Sequence, residues 1–280
     1  MTSGQPGVAD ESSLGGIADR LVAAYDSASF VDPITASRPG FTVAEAYDVL
    51  ADIETRRRGA GWRPVGRKIG FTNRTIWDRY GVWQPMWAHV WAHTVHHVEG
   101  GKATLPLDGL VQPRLEPEVV FKLKAPLGPT EDALAVMAAV EWIAPGFEIV
   151  QSHFPDWKFQ ASDCTAAFGL HGALIVGTPM DVTDANRAAL VGLLPDFAAT
   201  LSRGDTVVDR GVGANVLDSP ALALATLARV LADQPQFPAL AAGEIVTTGT
   251  LTDAWPVAPG ETWSSDYGDL GIGGLTVTFT

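Results

Sequence analysis

Three glutamates in apolar surroundings have the clearest chemical potential in this chain. Glu116 and Glu118 lie in the run 115–123, in which every odd-numbered residue is apolar. Because strand side chains alternate between two faces, this run predicts a strand with one core face and both glutamates on the other, about 7 Å apart. Carboxylates at that spacing can converge on one cation. The alternative is a solvated strand face that happens to carry two acids.

A third acid, Glu148, lies between apolar neighbours in another predicted strand, 147–151. An unpaired charge in so apolar a run would be very costly to bury, so Glu148 needs a partner. A hard divalent cation is one candidate and Arg114 is the other. Three carboxylates without a cysteine or histidine cluster favour Mg²⁺ or Mn²⁺, with about half of six coordination positions open to water or substrate. Open positions indicate catalysis rather than structural support.

The elements that must position these acids change in character along the chain. Helices are predicted at 17–25 and 42–59, the second opening on a capping box from Thr42 to Glu45. After Trp62, short β-like runs separated by glycine and proline take over. The predicted strands include 65–71, 115–123, 147–151, 172–177, 244–248 and 275–279, and the helices among them are 131–143 and 220–232.

Many short strands with few helices predict an α+β fold on a large mixed, mostly antiparallel twisted β core. Pro117 places its strand at an edge or a bulge, because proline cannot donate to a ladder. We divide the chain into a flexible N-terminal tail at 1–16, a helical region at 17–64 and a β-rich metal-binding catalytic domain at 65–280.

Composition and charge restrict the possible partners. The 280 residues are 46% hydrophobic with a formal net charge of −13, which indicates a globular protein that repels phosphate backbones and anionic lipids. Neither nucleic acid nor a membrane is expected as a partner. The N-terminus lacks a signal-peptide pattern, and the single Cys164, expected to be a small buried side chain, fits a reducing compartment. These features predict a cytoplasmic location.

Three motifs, in order along the chain, resemble one family. They are GRKIGFT at 66–72, QPRLEPE at 112–118, and Glu148 followed by Asp156 and Trp157. Together they resemble the 2-oxopent-4-enoate hydratase and 4-oxalocrotonate decarboxylase branch of the fumarylacetoacetate hydrolase superfamily. The resemblance implies a twisted, largely β fold with a helical N-terminal part, and a homo-oligomer, dimer or higher. It also implies a Mg²⁺ or Mn²⁺ ion on the three glutamates.

The same resemblance implies catalytic roles for Lys68 and Asp163 and substrate contacts for Arg114, Thr248 and Gly249. Thr248 and Gly249 follow a predicted strand and can offer hydroxyl and N–H groups to a substrate carboxylate. Lys68 lies in a short apolar strand between glycines, where partial desolvation is expected to lower its pKa. The alternative is a lysine that snorkels its ammonium group into solvent.

The reaction implied is lyase chemistry on a small 2-oxo or 2-hydroxy-enoic acid of aromatic catabolism. Such an acid can chelate the ion through a carboxylate oxygen and its C2 oxygen, so that the ion stabilises an enolate. Lys68 is expected to shuttle protons or to neutralise that enolate. Hydration and decarboxylation share this site. A C–C bond hydrolase of an acylpyruvate-like diketone and a non-catalytic family member are the alternatives.

Two positions after Asp163 depart from the family pattern. Ala167 and Phe168 replace an Asp and an Asn that lie near the substrate in hydratases. Their replacement indicates a changed substrate or a different reaction on the same enolate.

The segment 77–97 is rich in tryptophan and histidine. It contains Trp77, Trp83, Trp87 and Trp91, followed by His93, His96 and His97. The segment predicts packing in the core or a subunit interface; the alternative is an aromatic wall for a bulkier substrate, with one histidine activating water. His89 and His93 are four residues apart but lack the glutamate of an HExxH motif, so zinc is not expected.

Overall fold

The computed structural model describes residues 13–280, so most of the predicted tail lies outside the described residues. The helices are α1 (Leu14–Asp26), α2 (Ile34–Ser37), α3 (Val43–Gly59), α4 (Trp77–Tyr80), α5 (Ala133–Ala139), α6 (Ala161–Ala166), α7 (Arg187–Leu193) and α8 (Pro220–Ala232). The first seven strands are β1 (Pro64–Gly70), β2 (Met86–Trp91), β3 (Val95–His97), β4 (Lys102–Leu105), β5 (Arg114–Leu123), β6 (Val140–Val150) and β7 (His171–Val176). The others are β8 (Met180–Asp181), β9 (Ala198–Arg203), β10 (Thr206–Val212), β11 (Ile245–Thr247), β12 (Trp255–Pro256), β13 (Thr262–Asp266) and β14 (Gly274–Phe279).

Local capping signals begin the two long N-terminal helices. The Ser13 side chain accepts a hydrogen bond from the Gly16 N–H at 3.1 Å and caps α1, which begins inside the range predicted as tail. The predicted capping box opens α3: the Glu45 N–H donates to Thr42 Oγ1, and the Thr42 N–H donates to the Glu45 carboxylate at 2.9 Å. The helices predicted at 17–25, 42–59 and 220–232 are confirmed.

A large curled sheet forms the centre of the protein. Its strand order is β2-β1-β11-β5-β6-β7-β3, with β12 attached to β5 and β8 attached to β6. The pairs β1–β11 and β3–β7 are parallel, and the other pairs along this path are antiparallel. A second sheet has the order β10-β9-β13-β14-β4. The predicted α+β fold with a mixed, mostly antiparallel core is therefore confirmed.

The apolar face of β5 packs mainly in a large hydrophobic cluster. The odd-numbered Val119 and Phe121 are buried in one cluster with Leu224 and Leu227 of α8, as the alternation predicts. The helices α1 and α3 pack in a second cluster that also receives Phe168, and α3 sends Tyr47 and Leu50 into the first cluster. The stretch Gly213–Ala232, which contains α8, is long and apolar enough to cross a membrane, but 61% of an apolar 18-residue segment within it is buried inside the protein, as expected of a core helix.

Two sequence-based expectations about secondary structure are wrong. The helix predicted at 131–143 is shorter, because residues 140–143 belong to β6 and pair with β5. Sheet pairing here overrides a helical pattern. Pro117 was expected at an edge or a bulge, yet β5 is a central strand. It is tolerated because β11 pairs with β5 only at 120–122 and β12 only at 114–115, which leaves a gap in the ladder beside Pro117.

Candidate active site

Strand register brings the three predicted glutamates together. In the antiparallel pair β5–β6, Glu116 lies directly opposite Glu148, and Glu118 lies opposite Gly146. Since cross-strand partners share a face, all three side chains point the same way. One carboxylate oxygen from each lies within 4.8 Å of the others, and this is the only such group of potential metal ligands in residues 13–280. The paired strand face is therefore largely buried, so the solvated-face alternative is wrong, and its three carboxylates form a candidate metal site.

Glu118 is fully buried and is held by the junction that follows β11. Its Oε2 accepts hydrogen bonds from the Gly249 N–H at 2.7 Å and from the Thr247 hydroxyl. Its Oε1 has no hydrogen-bond partner among the described residues. A buried carboxylate oxygen without a partner is costly, and coordination to a cation would satisfy it.

Glu148 is held from two sides. The Lys68 ammonium group, reaching from β1 across the curled sheet, lies 3.0 Å from Glu148 Oε2. On the other side, His171 of β7 donates its Nδ1–H to Glu148 Oε1 at 2.8 Å. All three residues are buried. Lys68 therefore points into the site rather than snorkelling into solvent.

Burial and mutual repulsion decide the charge state of the three acids. Burial raises the pKa of Glu116 to about 7, despite the opposing charge of Lys68. Burial, together with the charges of Glu148 and Glu116, raises the pKa of Glu118 well above its usual value. Burial also opposes ionisation of Glu148, but Lys68 and His171 outweigh it and lower its pKa.

The pKa of Lys68 shifts in the direction opposite to the one expected. Burial alone would lower it, but the nearby charges of Glu148, Glu116 and Glu118 outweigh burial and raise it. The sequence revealed the desolvation and not the number of acids that surround the ammonium group.

The donor set fits a hard divalent cation. Its three ligand atoms are all carboxylate oxygens, the type that Mg²⁺ and Mn²⁺ prefer. Fully ionised, the glutamates carry three negative charges, of which Lys68 compensates one. A divalent ion would compensate the other two and would give the unpartnered Oε1 of Glu118 a ligand role.

A cavity of about 280 Å³ opens onto this cluster. Lys68, Glu116 and Arg114 line it, and the Arg114 guanidinium lies 4.2 Å from the centre of the Trp157 ring. Polar loop residues contribute to the lining: Thr72, Asn73, Thr250, Thr252 and Asp253. Apolar residues that belong to the cluster with α1 and α3 form another part of the lining: Phe71, Met86, Val150, Trp157 and Leu170. The cavity thus combines charged groups at the acids with an apolar wall.

Asp163 is not brought into the cavity lining. Its carboxylate accepts hydrogen bonds from the Thr35 N–H at 2.9 Å, the Thr35 hydroxyl at 2.7 Å and the Gln160 N–H at 2.8 Å. These bonds tie α2 to the start of α6. The geometry therefore gives Asp163 a structural role, and the catalytic role expected of it stays a prediction.

The two predicted carboxylate-binding residues after β11 have other partners. The Thr248 hydroxyl donates to the Val119 carbonyl at 2.9 Å, and Thr248 does not line the cavity. Gly249 does line it, but its N–H donates to Glu118. A Cβ at Gly249, whose φ is +104°, would lie 1.9 Å from Thr72 Oγ1. Glycine at this position allows the loop to approach the ligands closely.

The two departures from the family pattern lie in the packing layer beside the cavity. Ala167 and Phe168 are buried in the cluster formed with α1 and α3, and the Phe168 ring lies 4.5 Å from that of Tyr25. The next two residues, Gly169 and Leu170, line the cavity instead.

Most of the tryptophan-rich segment serves packing. Trp87 and Trp91 are buried, as predicted, whereas Trp83 is 75% exposed and does not pack in the core, so for Trp83 only the subunit-interface part of the prediction is left to test. None of the four tryptophans of this segment lines the cavity described above. His89 lies 2.9 Å from Glu54, and Cys164 is buried as expected.

Sequence reasoning missed His171, and it expected the hydroxyl of Thr247 to meet a substrate carboxylate and not Glu118. Thr247 is the last residue of β11, where a polar side chain ends an apolar strand. His171 precedes Gly172 and an apolar run. Strict alternation from that run would have placed the His171 side chain on the face of the sheet opposite to the three glutamates.

Comparisons with known proteins agree on the relatives of this chain. It is 33% identical over 264 residues to 2-hydroxyhexa-2,4-dienoate hydratase of Comamonas testosteroni, covering 93% of this chain and 95% of that protein. It is 32% identical over 241 residues to 4-oxalocrotonate decarboxylase of Pseudomonas sp. (strain CF600), covering 86% and 87%. No protein-family model matches the chain.

Solved structures support the fold. The 4-oxalocrotonate decarboxylase of Pseudomonas putida G7, complexed with magnesium and adipate, superposes with a TM-score of 0.87 at 26% identity, covering 99% of this chain and 100% of that one. Fumarylpyruvate hydrolase of Pseudomonas aeruginosa, in complex with Mn²⁺ and pyruvate, superposes with a TM-score of 0.61 at 18% identity, covering 78% and 89%, and supports the fold alone.

Proposed function

The chain belongs to the 2-oxopent-4-enoate hydratase and 4-oxalocrotonate decarboxylase branch of the fumarylacetoacetate hydrolase superfamily, and from this membership we propose that it is a divalent-metal-dependent lyase of small 2-oxo or 2-hydroxy-enoic acids. The observation that carries the proposal is the convergence of three carboxylates within 4.8 Å, beside Lys68, at a cavity of about 280 Å³. That cavity is of the size and character of a small-molecule site.

Glu116, Glu118 and Glu148 would hold the ion, which we propose to be Mg²⁺ or Mn²⁺. When bound, the ion supplies electrophilic stabilisation to the negative charge that develops on the C2 oxygen of the substrate. The relatives that carry this argument include one protein solved with magnesium.

Lys68 is the residue best placed to move a proton. Its Nζ lies 3.0 Å from Glu148, and the residue lines the cavity, so the ammonium group can donate to a substrate atom held beside the acids. Arg114 presents a planar array of donors above Trp157, a geometry suited to a substrate carboxylate. The apolar wall would exclude water from the carbon chain of the substrate.

Hydration and decarboxylation differ in the bonds that they make and break. In hydration, water adds across a carbon–carbon double bond, forming one C–O and one C–H bond. In decarboxylation, a C–C bond breaks, CO₂ leaves, and a proton takes its place. Both need a stabilised oxyanion at C2 and a group that delivers a proton, and this site offers both.

The test uses the whole chain, stripped of metal with a chelator and reloaded with Mg²⁺ or Mn²⁺. We expect the ultraviolet absorbance of 2-hydroxydienoic acids to fall with either ion and to stay constant with the chelator. Product analysis by NMR and CO₂ release then separates hydration from decarboxylation. Absence of turnover across a panel of such acids, or hydrolysis to two acids, would overturn the proposal.

We also propose that the protein is a cytoplasmic homo-oligomer, because its relatives are catabolic enzymes of this branch. Light scattering at two protein concentrations would test the assembly.

A further inference from the structure

A break in strand alternation places His171 beside the proposed metal ligands. In the pair β6–β7, Glu148 lies opposite Leu174 and Ile149 opposite Ala173. Continued alternation would set residue 172 on the face of Glu148 and His171 on the other face. The register instead shifts, so that Val150 lies opposite His171. This β-bulge turns the imidazole towards Glu148.

Gly172 makes the bulge possible. A Cβ at this position would lie 2.7 Å from the Ile149 carbonyl oxygen and 3.0 Å from Leu110 Cδ2. Real Cβ atoms do not approach a backbone oxygen so closely, so any larger residue would push the two strands apart. The pair His171–Gly172 is therefore a local device that re-aims one side chain without ending the strand.

Both nitrogens of His171 have partners. Nδ1 lies 2.8 Å from Glu148 Oε1, and Nε2 lies 2.8 Å from Thr94 Oγ1, in the turn after β2. Thr94 is itself bonded to the Trp91 carbonyl at 2.9 Å. His171 is 2% exposed, so the ring cannot turn without breaking both bonds in a place that water does not reach.

We propose that His171 is a positioning residue that fixes the carboxylate of Glu148 for the ion. Because His171 takes Oε1, the plane of the carboxylate is set, and Oε2 lies 3.0 Å from the Lys68 ammonium group. A ligand fixed in advance loses less side-chain freedom when the ion binds, and groups of this kind affect metal affinity by about 10- to 100-fold. This inference rests on the proposed function.

The test measures Mn²⁺ binding to the stripped protein by isothermal titration calorimetry, with no substrate present. We expect His171→Leu to weaken Mn²⁺ binding about 10- to 100-fold. His171→Asn carries an amide N–H close to the position of Nδ1, so its affinity should lie nearer to wild type than to His171→Leu. The apparent Mn²⁺ constant of turnover should rise in His171→Leu, with kcat recovered at saturating ion.

A matched control separates this role from loss of any buried histidine. His153 is also buried, with its Nδ1 2.9 Å from the Ser29 carbonyl, and it touches none of the three acids. His153→Leu should leave Mn²⁺ affinity unchanged. Thermal unfolding checks that each variant is folded.

The outcomes are distinct. If folded His171→Leu binds Mn²⁺ as tightly as wild type, or if His171→Asn loses as much affinity as His171→Leu, the positioning role is wrong. If the wild-type chain binds no divalent ion at all, the proposed function itself fails.

Discussion

Lys68 and Arg67 are neighbours on β1, are both almost fully buried, and have opposite electrostatic surroundings. Lys68 faces three carboxylates, which raise its pKa despite burial. Arg67 points to the other face, where burial lowers its pKa and Glu244, at 3.7 Å, compensates only in part. The two neighbouring cations therefore differ in how far nearby carboxylates compensate for their burial.

Arg67 also contacts neutral groups. Its guanidinium lies 5.0 Å from the centre of the Trp87 ring, and its Nη2–H donates to the Pro238 carbonyl at 2.9 Å. Its Nε and Nη1 have no hydrogen-bond partner among the described residues. Such a cation ties elements together, whereas one that shares a cavity with several acids can exchange protons with a ligand. Burial alone does not identify a catalytic cation; the acids around it do.

The largest effect is expected from Lys68→Met. If Lys68 delivers the proton, kcat should fall by about 10²- to 10⁴-fold. Mn²⁺ affinity should be retained, because the three ligands remain and a competing cation is lost. Steady-state kinetics and calorimetry measure both quantities. An unchanged kcat would contradict the conclusion that Lys68, unlike Arg67, takes part in proton transfer.

Glu118→Gln should weaken Mn²⁺ binding by at least about 100-fold, since it replaces a ligand rather than a group that orients one. The stripped variant should unfold at the same or a higher temperature than the stripped wild type. The amide oxygen can still accept from Gly249, and a buried group whose ionisation is unfavourable has been removed. Calorimetric titration measures the expected loss of Mn²⁺ affinity, and thermal unfolding measures the expected equal or higher stability. A less stable variant would contradict this account.

The acids around Lys68 also predict a pH signature that the Arg67 side lacks. Since burial raises the pKa of Glu116 to about 7, Mn²⁺ must displace a proton below that pH. Affinity should therefore rise with pH through this range, by up to about tenfold per pH unit for each proton that the ion displaces, and the raised pKa of Glu118 adds a second such proton. The stripped protein binds more protons folded than unfolded between the ordinary glutamate pKa and 7, so its stability should fall as pH rises through that window. Titrations in buffers of different ionisation enthalpy measure the released proton, and pH-independent binding would contradict the prediction.

The smallest effect on turnover is expected from Arg67→Met. The substitution keeps an apolar chain of similar length against Trp87 and removes a buried charge, two of whose nitrogen atoms have no hydrogen-bond partner among the described residues. It also takes the ion-pair partner from Glu244 and the donor from the Pro238 carbonyl, so the free energy of unfolding should fall by about 1–3 kcal/mol. kcat should stay within about twofold, because Arg67 does not line the cavity. Denaturant unfolding and kinetics check this, and a large loss of kcat would show that both cations serve the reaction.

The local part of this site could be predicted from the sequence. Alternation alone paired Glu116 with Glu118 on one face of β5, and an apolar run indicated the strand that holds Glu148. Both depend only on the two-residue period of a strand. The residue-by-residue register that sets Glu116 opposite Glu148 depends on the pairing of β5 with β6, which spacing along the chain does not encode.

The remaining features arise from contacts between distant segments. The raised pKa of Lys68 depends on acids that the curled sheet brings from β5 and β6. His171 escaped notice because a bulge reverses its face, and the bonds of Asp163 could not be foreseen because Thr35, which binds its carboxylate, is far away in sequence. The helix predicted at 131–143 was too long because pairing with β5 claims its last residues.

The gap in the ladder beside Pro117 separates the part of the sheet that holds the acids from the loop that lines the cavity. Paired strands on either side of the gap hold the acids, while the segment between β11 and β12 lies beside the gap and lines the cavity with Thr250, Thr252 and Asp253. Changes at Thr250, Thr252 and Asp253 can alter what the cavity accepts, whereas Gly249 in the same segment must stay because its N–H donates to Glu118. For protein engineering, these three positions are the exchangeable part of the enzyme: their side chains can be varied to change specificity while the strands that carry the acids stay as they are.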